Sequence, residues 1–98
     1  MENKKLLGNQ VAKRLLIEIY NNHGQHRYNH EQHRYNYAAR LAREIDCTHA
    51  HCIANGIILE EVGVITRTID GRKIILIITD KGREIAKHLV KIEEILRC

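Results

Sequence analysis

"LEEVGVITRTIDGRKIILIITDKGREIAKHL", Leu59 to Leu89, changes its period twice. A helical pattern runs to about Glu61, and Gly63 ends it. Val64 to Ile69, "VITRTI", alternates in part, and Arg72 to Thr79, "RKIILIIT", is β-branched and of buried character. Asp70-Gly71 between them is a strong two-residue hairpin turn. Thr79 then stands where a helix needs an N-cap. The last stretch, "DKGREIAKHLVKIEEILRC", repeats Ile85, Leu89, Ile92 and Leu96 at steps of four and three. That seam is too short for an independent coiled coil but suits pairing with a partner.

Working backwards, Thr48 can cap the helix that ends at about Glu61, and Asp46-Cys47-Thr48 reads as a turn. Tyr37 to Ile45, "YAARLAREI", is a short helix with Ala38, Leu41, Ala42 and Ile45 on one face and Asn36 as cap. Leu6 to Tyr20 places Leu7, Val11, Leu15, Leu16 and Ile19 at helical spacing, with Asn9 available as N-cap inside it. "NNHG", Asn21 to Gly24, stops that helix. The order is helix, helix, helix, hairpin, helix. The expected fold class is α+β, mostly helical. Two helices joined by a short turn make a helix-turn-helix, and the hairpin after them makes a wing. One domain is expected over residues 1–98, with a core at about 9–79 and a C-terminal helix at about 80–98.

These residues resemble the winged helix-turn-helix family. "AARLAREIDCTHAHCIANGIILEEVGVI" is similar to that family's second helix, turn and recognition helix, closing with Leu59-Glu60-Glu61-Val62-Gly63-Val64-Ile65. "IITDKGREIAKHL" resembles the wing exit of multiple-antibiotic-resistance-type regulators and of small archaeal and archaeal-virus proteins. The likeness covers about Tyr35 to Leu89. Two features depart from the family. The segment between the first two helices is longer and holds a repeat. Asn55 and Gly56 occupy a stretch where the family carries an apolar core residue.

The resemblance implies a dimeric DNA-binding regulator of transcription. A helix over 48–61 would enter the major groove, where base edges carry a distinguishable donor and acceptor pattern. With Cys52, Ile53, Ile57 and Leu59 turned to the core, Thr48, His49, His51 and Asn55 face outward at the helix's N-terminal half. The wing over 64–79 supplies Arg67, Arg72 and Lys73 for backbone phosphates or a minor groove. Arg40, Arg43 and Arg34 are further backbone candidates. Ile85, Leu89, Ile92 and Leu96 are the expected dimer interface, and Cys98 at its end is a candidate for an intersubunit disulfide.

Composition agrees with a polyanionic partner. The 98 residues carry a formal charge of +4 with histidine neutral, and 44% are apolar against 29% charged. That balance is globular rather than disordered. No apolar run approaches the roughly 18 residues needed to span a bilayer, and "MENKKLLGNQ" has no apolar signal segment. An intracellular, cytoplasmic protein is expected. The three cysteines, Cys47, Cys52 and Cys98, are an odd number and read as free thiols.

His23, His26, His30 and His33 step by three, four and three, and imidazoles at i and i+4 can share a metal ion. Gly24 and Asn29 argue against one continuous helix there. No Cys-x-x-Cys pair exists, and the spacing of Cys47 and Cys52 is unlike common zinc clusters. No metal and no cofactor are expected. Gln25-His26-Arg27-Tyr28-Asn29 recurs seven residues later as Gln32-His33-Arg34-Tyr35-Asn36. Seven residues are close to two helical turns, so the insertion keeps helix faces in phase. Alternatively, the second copy supplies a short first strand and the cap at Asn36, and the first is a looped-out insert. Arg and Tyr interleaved there suit phosphate contact and stacking; a tolerated surface duplication is the other reading.

Two other functions share this fold. One is a chromatin-type architectural protein that binds any duplex. The other is a protein-interaction module without nucleic acid. Catalysis has no support: there is no Gly-rich phosphate loop, nucleophile motif or paired-carboxylate arrangement. The residues assign no small-molecule effector.

Overall fold

The computed structural model describes residues 8–23 and 37–97, except the side chains of His23 and Asp70. The elements are α1 (Gln10–His23), α2 (Ala38–Glu44), α3 (His49–Glu61), β1 (Ile65–Asp70), β2 (Lys73–Ile78) and α4 (Asp80–Arg97). This is the expected order. Asn9 caps α1, its Oδ1 accepting from the Ala12 amide at 3.0 Å. Thr48 caps α3, its hydroxyl accepting from the His51 amide at 3.1 Å. The cap of α2 is a correction. Tyr37 stands at the N-cap position and its side chain makes no capping bond, and Asn36 lies outside the described residues.

Both helices of the helix-turn-helix end in the same way. After α3, Gly63 (φ 81) donates to the Glu60 carbonyl at 3.0 Å and Val64 to Leu59 at 3.1 Å. After α2, Asp46 (φ 58) donates to Arg43 at 3.2 Å and Cys47 to Ala42 at 2.9 Å. Each is a Schellman motif, which satisfies carbonyls that the helix end leaves orphaned.

The hairpin is antiparallel, with Ile65 opposite Ile78 and Asp70 opposite Lys73. Its loop is therefore Gly71-Arg72, one residue later than the expected Asp70-Gly71. Gly71 takes the single positive φ, 65°, at the first loop position. That is the type II′ requirement, whereas a type I′ loop in this register would force Arg72 into the left-handed region as well. Tyr37 forms an isolated bridge with Ile75, so the chain entering α2 touches the wing sheet.

The core is built from one face of every element. Leu15, Leu16 and Ile19 of α1 meet Leu41 of α2, Cys52 and Leu59 of α3, and Leu76 of β2, all fully buried. Val64 and Ile65 join them where α3 passes into β1.

The two stretches that carried the family resemblance are clasped together. Thr79 Oγ1 donates to the Gly63 carbonyl at 2.8 Å and accepts from the Gly82 amide at 3.0 Å. Lys81 Nζ donates to the Val62 carbonyl at 2.7 Å, at the C-terminus of α3, where a cation is favoured. The Thr79 amide donates to the Val64 carbonyl at 3.0 Å. A Cβ on Gly82 would overlap that same carbonyl, so only glycine fits there. The start of α4 is thereby locked onto the end of α3, with the hairpin projecting from the junction.

Candidate nucleic-acid interface

Thr48, His49 and His51 lie on the solvent side of α3's first turns. Thr48 combines that exposure with its capping bond, which fixes the start of the helix.

Asn55 is a correction. It was expected beside them, but it is buried, with 2% of its surface exposed. The buried stripe of α3 is Cys52, Asn55, Gly56 and Leu59. Ile57, expected in the core, is exposed, and Ile53 is half-buried. The reason is a specific partner. Asn55 Oδ1 accepts from Asn9 Nδ2 at 2.8 Å, and Asn55 Nδ2 donates to the His51 carbonyl at 2.9 Å. A polar side chain enters a core when its bonding groups are satisfied there.

The basic residues of three elements converge. Arg40 and Arg43 of α2, His49 of α3, and Arg72 and Lys73 of the wing line one cleft of about 360 Å³. Among the described residues no carboxylate lines it. Ala38, Ala39, Ile74 and the Tyr37 ring form its apolar part, and Lys73 Nζ lies 4.4 Å from the centre of that ring. A cation over an aromatic face is held electrostatically, which ties the loop end of the wing to Tyr37, the residue that leads into α2. Positive groups gathered in a concavity with low-dielectric walls focus the field on an incoming anion.

Arg67 is placed differently. Its Nε donates to Glu60 Oε1 at 2.9 Å, so it braces the wing against the last turn of α3. Both partners are about a third exposed, so the pair contributes geometry more than stability. Arg34, the repeat and Cys98 lie outside the described residues.

The C-terminal seam divides in two. Ile85 and Leu89 are half-buried against the chain's own core. Ile92 (52% exposed) and Leu96 (79%) face outward, and Ile95 (62%) joins them.

Cys47 and Cys52 are free thiols, half-buried and buried. Burial, then the neighbouring Cys47 thiol, push Cys52 up to about 12. A thiol so placed stays protonated and unreactive at neutral pH. Among the described residues no group of three or more His, Cys, Asp or Glu side chains comes together as a metal site.

Sequence reasoning missed Tyr37, Glu60 and Ile95. Tyr37 was read as the start of a helix, and only the bridge to Ile75 reveals its place. Glu60 stood inside the family signature, where its pairing with Arg67 across the wing has no sequence spacing to mark it. Ile95 had a signal, since it directly precedes Leu96 and widens the apolar stripe.

No protein-family model and no curated protein matches this chain. Solved structures do. AF1382 from Archaeoglobus fulgidus is 25% identical with a TM-score of 0.77, over 98% of each chain. MepR of Staphylococcus aureus, solved as a DNA complex, is 14% identical with a TM-score of 0.75, over 96% of this chain and 66% of that one. A MarR-family transcriptional regulator from Rhodococcus sp. RHA1 is 21% identical with a TM-score of 0.61, over 89% of this chain and 58% of that one. The chain spans nearly all of AF1382 but less than two thirds of the other two. The fold is the winged helix found in MarR-type regulators. Among the described residues no helix is long and apolar enough to cross a membrane.

Proposed function

We propose that the chain is a homodimeric, intracellular regulator of transcription that binds duplex DNA with sequence preference. The cleft where Arg40, Arg43, His49, Arg72 and Lys73 converge carries this reading. Thr48, His49 and His51 reach base edges from the start of α3, while Arg72 and Lys73 meet backbone phosphates or the adjacent minor groove. Arg40 and Arg43 hold the phosphates beside the groove. Arg67 serves by fixing the wing's attitude through Glu60. Residues 1–98 act as one unit, with α4 as the dimer helix. Two copies then place their α3 helices about 34 Å apart, one turn of DNA. No catalytic step is assigned.

The test is selection of bound genomic fragments followed by titration at several salt concentrations. A short palindrome is expected, with affinity falling steeply as salt rises. Arg72→Ala and Lys73→Ala should each weaken all sequences alike and reduce the salt slope by about one. His49→Ala should instead relax sequence preference. Equal affinity for every duplex would make this an architectural protein. Absence of binding at low salt would leave a protein-interaction module.

A further inference from the structure

We infer that Asn9 and Asn55 form a polar pin that sets the rotation of α3 about its own axis. Asn55 is then a positioning residue for base recognition, acting on His49 and His51 from inside the protein. The inference rests on the regulator reading above.

Among the described residues Asn55 is the one buried polar side chain. Its bonds form a continuous chain. The Ala12 amide donates to Asn9 Oδ1, Asn9 Nδ2 to Asn55 Oδ1, and Asn55 Nδ2 to the His51 carbonyl. The first turn of α1 is thereby tied to the half of α3 that carries the outward histidines.

Apolar burial alone specifies this rotation weakly. Ile53, Ile57 and Ile58 lie outside the buried stripe of Cys52, Asn55, Gly56 and Leu59. Turning the helix would bury some of these isoleucines in exchange for what it exposes. Gly56 has no side chain to interlock with its neighbours, and among the described residues a Cβ there would meet only the Leu76 methyls, at 3.5 and 3.6 Å. Directional bonds have no such tolerance. A buried asparagine is the best-attested device for fixing register at a cost in stability.

The lever is long enough to matter. Side-chain tips lie about 5–6 Å from a helix axis, so a rotation of about 15° moves them on the order of 1.5 Å. A hydrogen bond to a base does not survive that displacement.

Two substitutions test the pin. Asn9→Ser keeps a capping oxygen for α1 but loses the amide donor. Asn55→Leu fills the site with apolar volume. Each is read by the ratio of affinities for the selected DNA and a scrambled duplex at one salt concentration. A change that only lowers the folded fraction moves both affinities together and leaves the ratio alone. Each is also read without DNA, in a Cys47→Ser/Cys98→Ser background where Cys52 is the sole thiol. Its modification by a disulfide reagent reports whether the buried stripe stays inward.

The expected result is a fall of about tenfold in the affinity ratio for both variants. Cys52 modification should quicken by more than any loss of global stability explains. An unchanged ratio and unchanged Cys52 rate in both variants would overturn the pin. If the unsubstituted protein prefers no sequence, the regulator reading fails separately, and the Cys52 rate alone decides for or against the pin.

Discussion

Gly56 and Gly82 both sit inside helices, and a methyl group added at each meets opposite surroundings. At Gly56 it lies in ordinary contact with Leu76, while at Gly82 it strikes the Val64 backbone carbonyl. Gly56→Ala is expected to gain about 0.5–1 kcal/mol from helix propensity. Gly82→Ala should lose about 1–3 kcal/mol or more, because a backbone atom cannot step aside. Urea denaturation of both variants checks the signs; a stable Gly82→Ala protein would refute the close approach. Asn55 teaches a related lesson. Asparagine at a position of uncertain phase reads as exposed, because the partner that buries it is Asn9, 46 residues upstream. No local pattern marks such a pair. Thr48 and Asn9 were legible because a cap acts within three residues of itself.

Among the elements, the two Schellman ends invite comparison. Gly63 adopts its left-handed conformation freely, whereas Asp46 holds φ 58 with a side chain attached. A left-handed residue with a Cβ costs roughly 1–2 kcal/mol, less for Asp, and glycine gives part of that back in unfolded-state entropy. Asp46→Gly should therefore stabilise the protein by up to about 1 kcal/mol, measured as a rise in the denaturation midpoint. A fall would mean that the Asp46 side chain itself contributes to the turn. Helix and strand identities were readable here because period and punctuation agree along the chain. The hairpin loop was displaced by one residue because Asp-Gly signals a turn without naming which two residues span it. The rotation of α3 was the least readable feature, since its isoleucines are distributed around the helix rather than along one side.

At the scale of the whole molecule, the outer end of α4 has too much apolar surface to be an ordinary helix terminus. Ile92, Ile95 and Leu96 are all more than half exposed. Burying each large aliphatic side chain is worth about 1.5–3 kcal/mol, and in the proposed dimer twofold symmetry counts each residue twice. Ile92→Glu with Leu96→Glu should weaken self-association by more than about a hundredfold and leave far-UV circular dichroism unchanged. Sedimentation velocity should show monomers for the variant and, on the proposed function, dimers for the unsubstituted protein, and affinity for a full palindrome should fall to that of a half-site. An unaltered mass would place the subunit contact elsewhere. The seam was visible in the spacing, yet its inner half turned out to serve the chain's own core. Spacing defines a stripe but not how much of it neighbouring helices cover.

The clasp of Thr79, Lys81 and Gly82 against Val62, Gly63 and Val64 closes the hairpin at its base. Beyond that knot, Thr66, Thr68, Gly71 and Arg72 are all exposed. The exposed loop is thereby set apart from Ile75 and Leu76, the part of β2 that is buried in the core. Residues could be added or removed around Gly71-Arg72 without disturbing a buried side chain, so relatives built on this body could span grooves of different width at little thermodynamic expense.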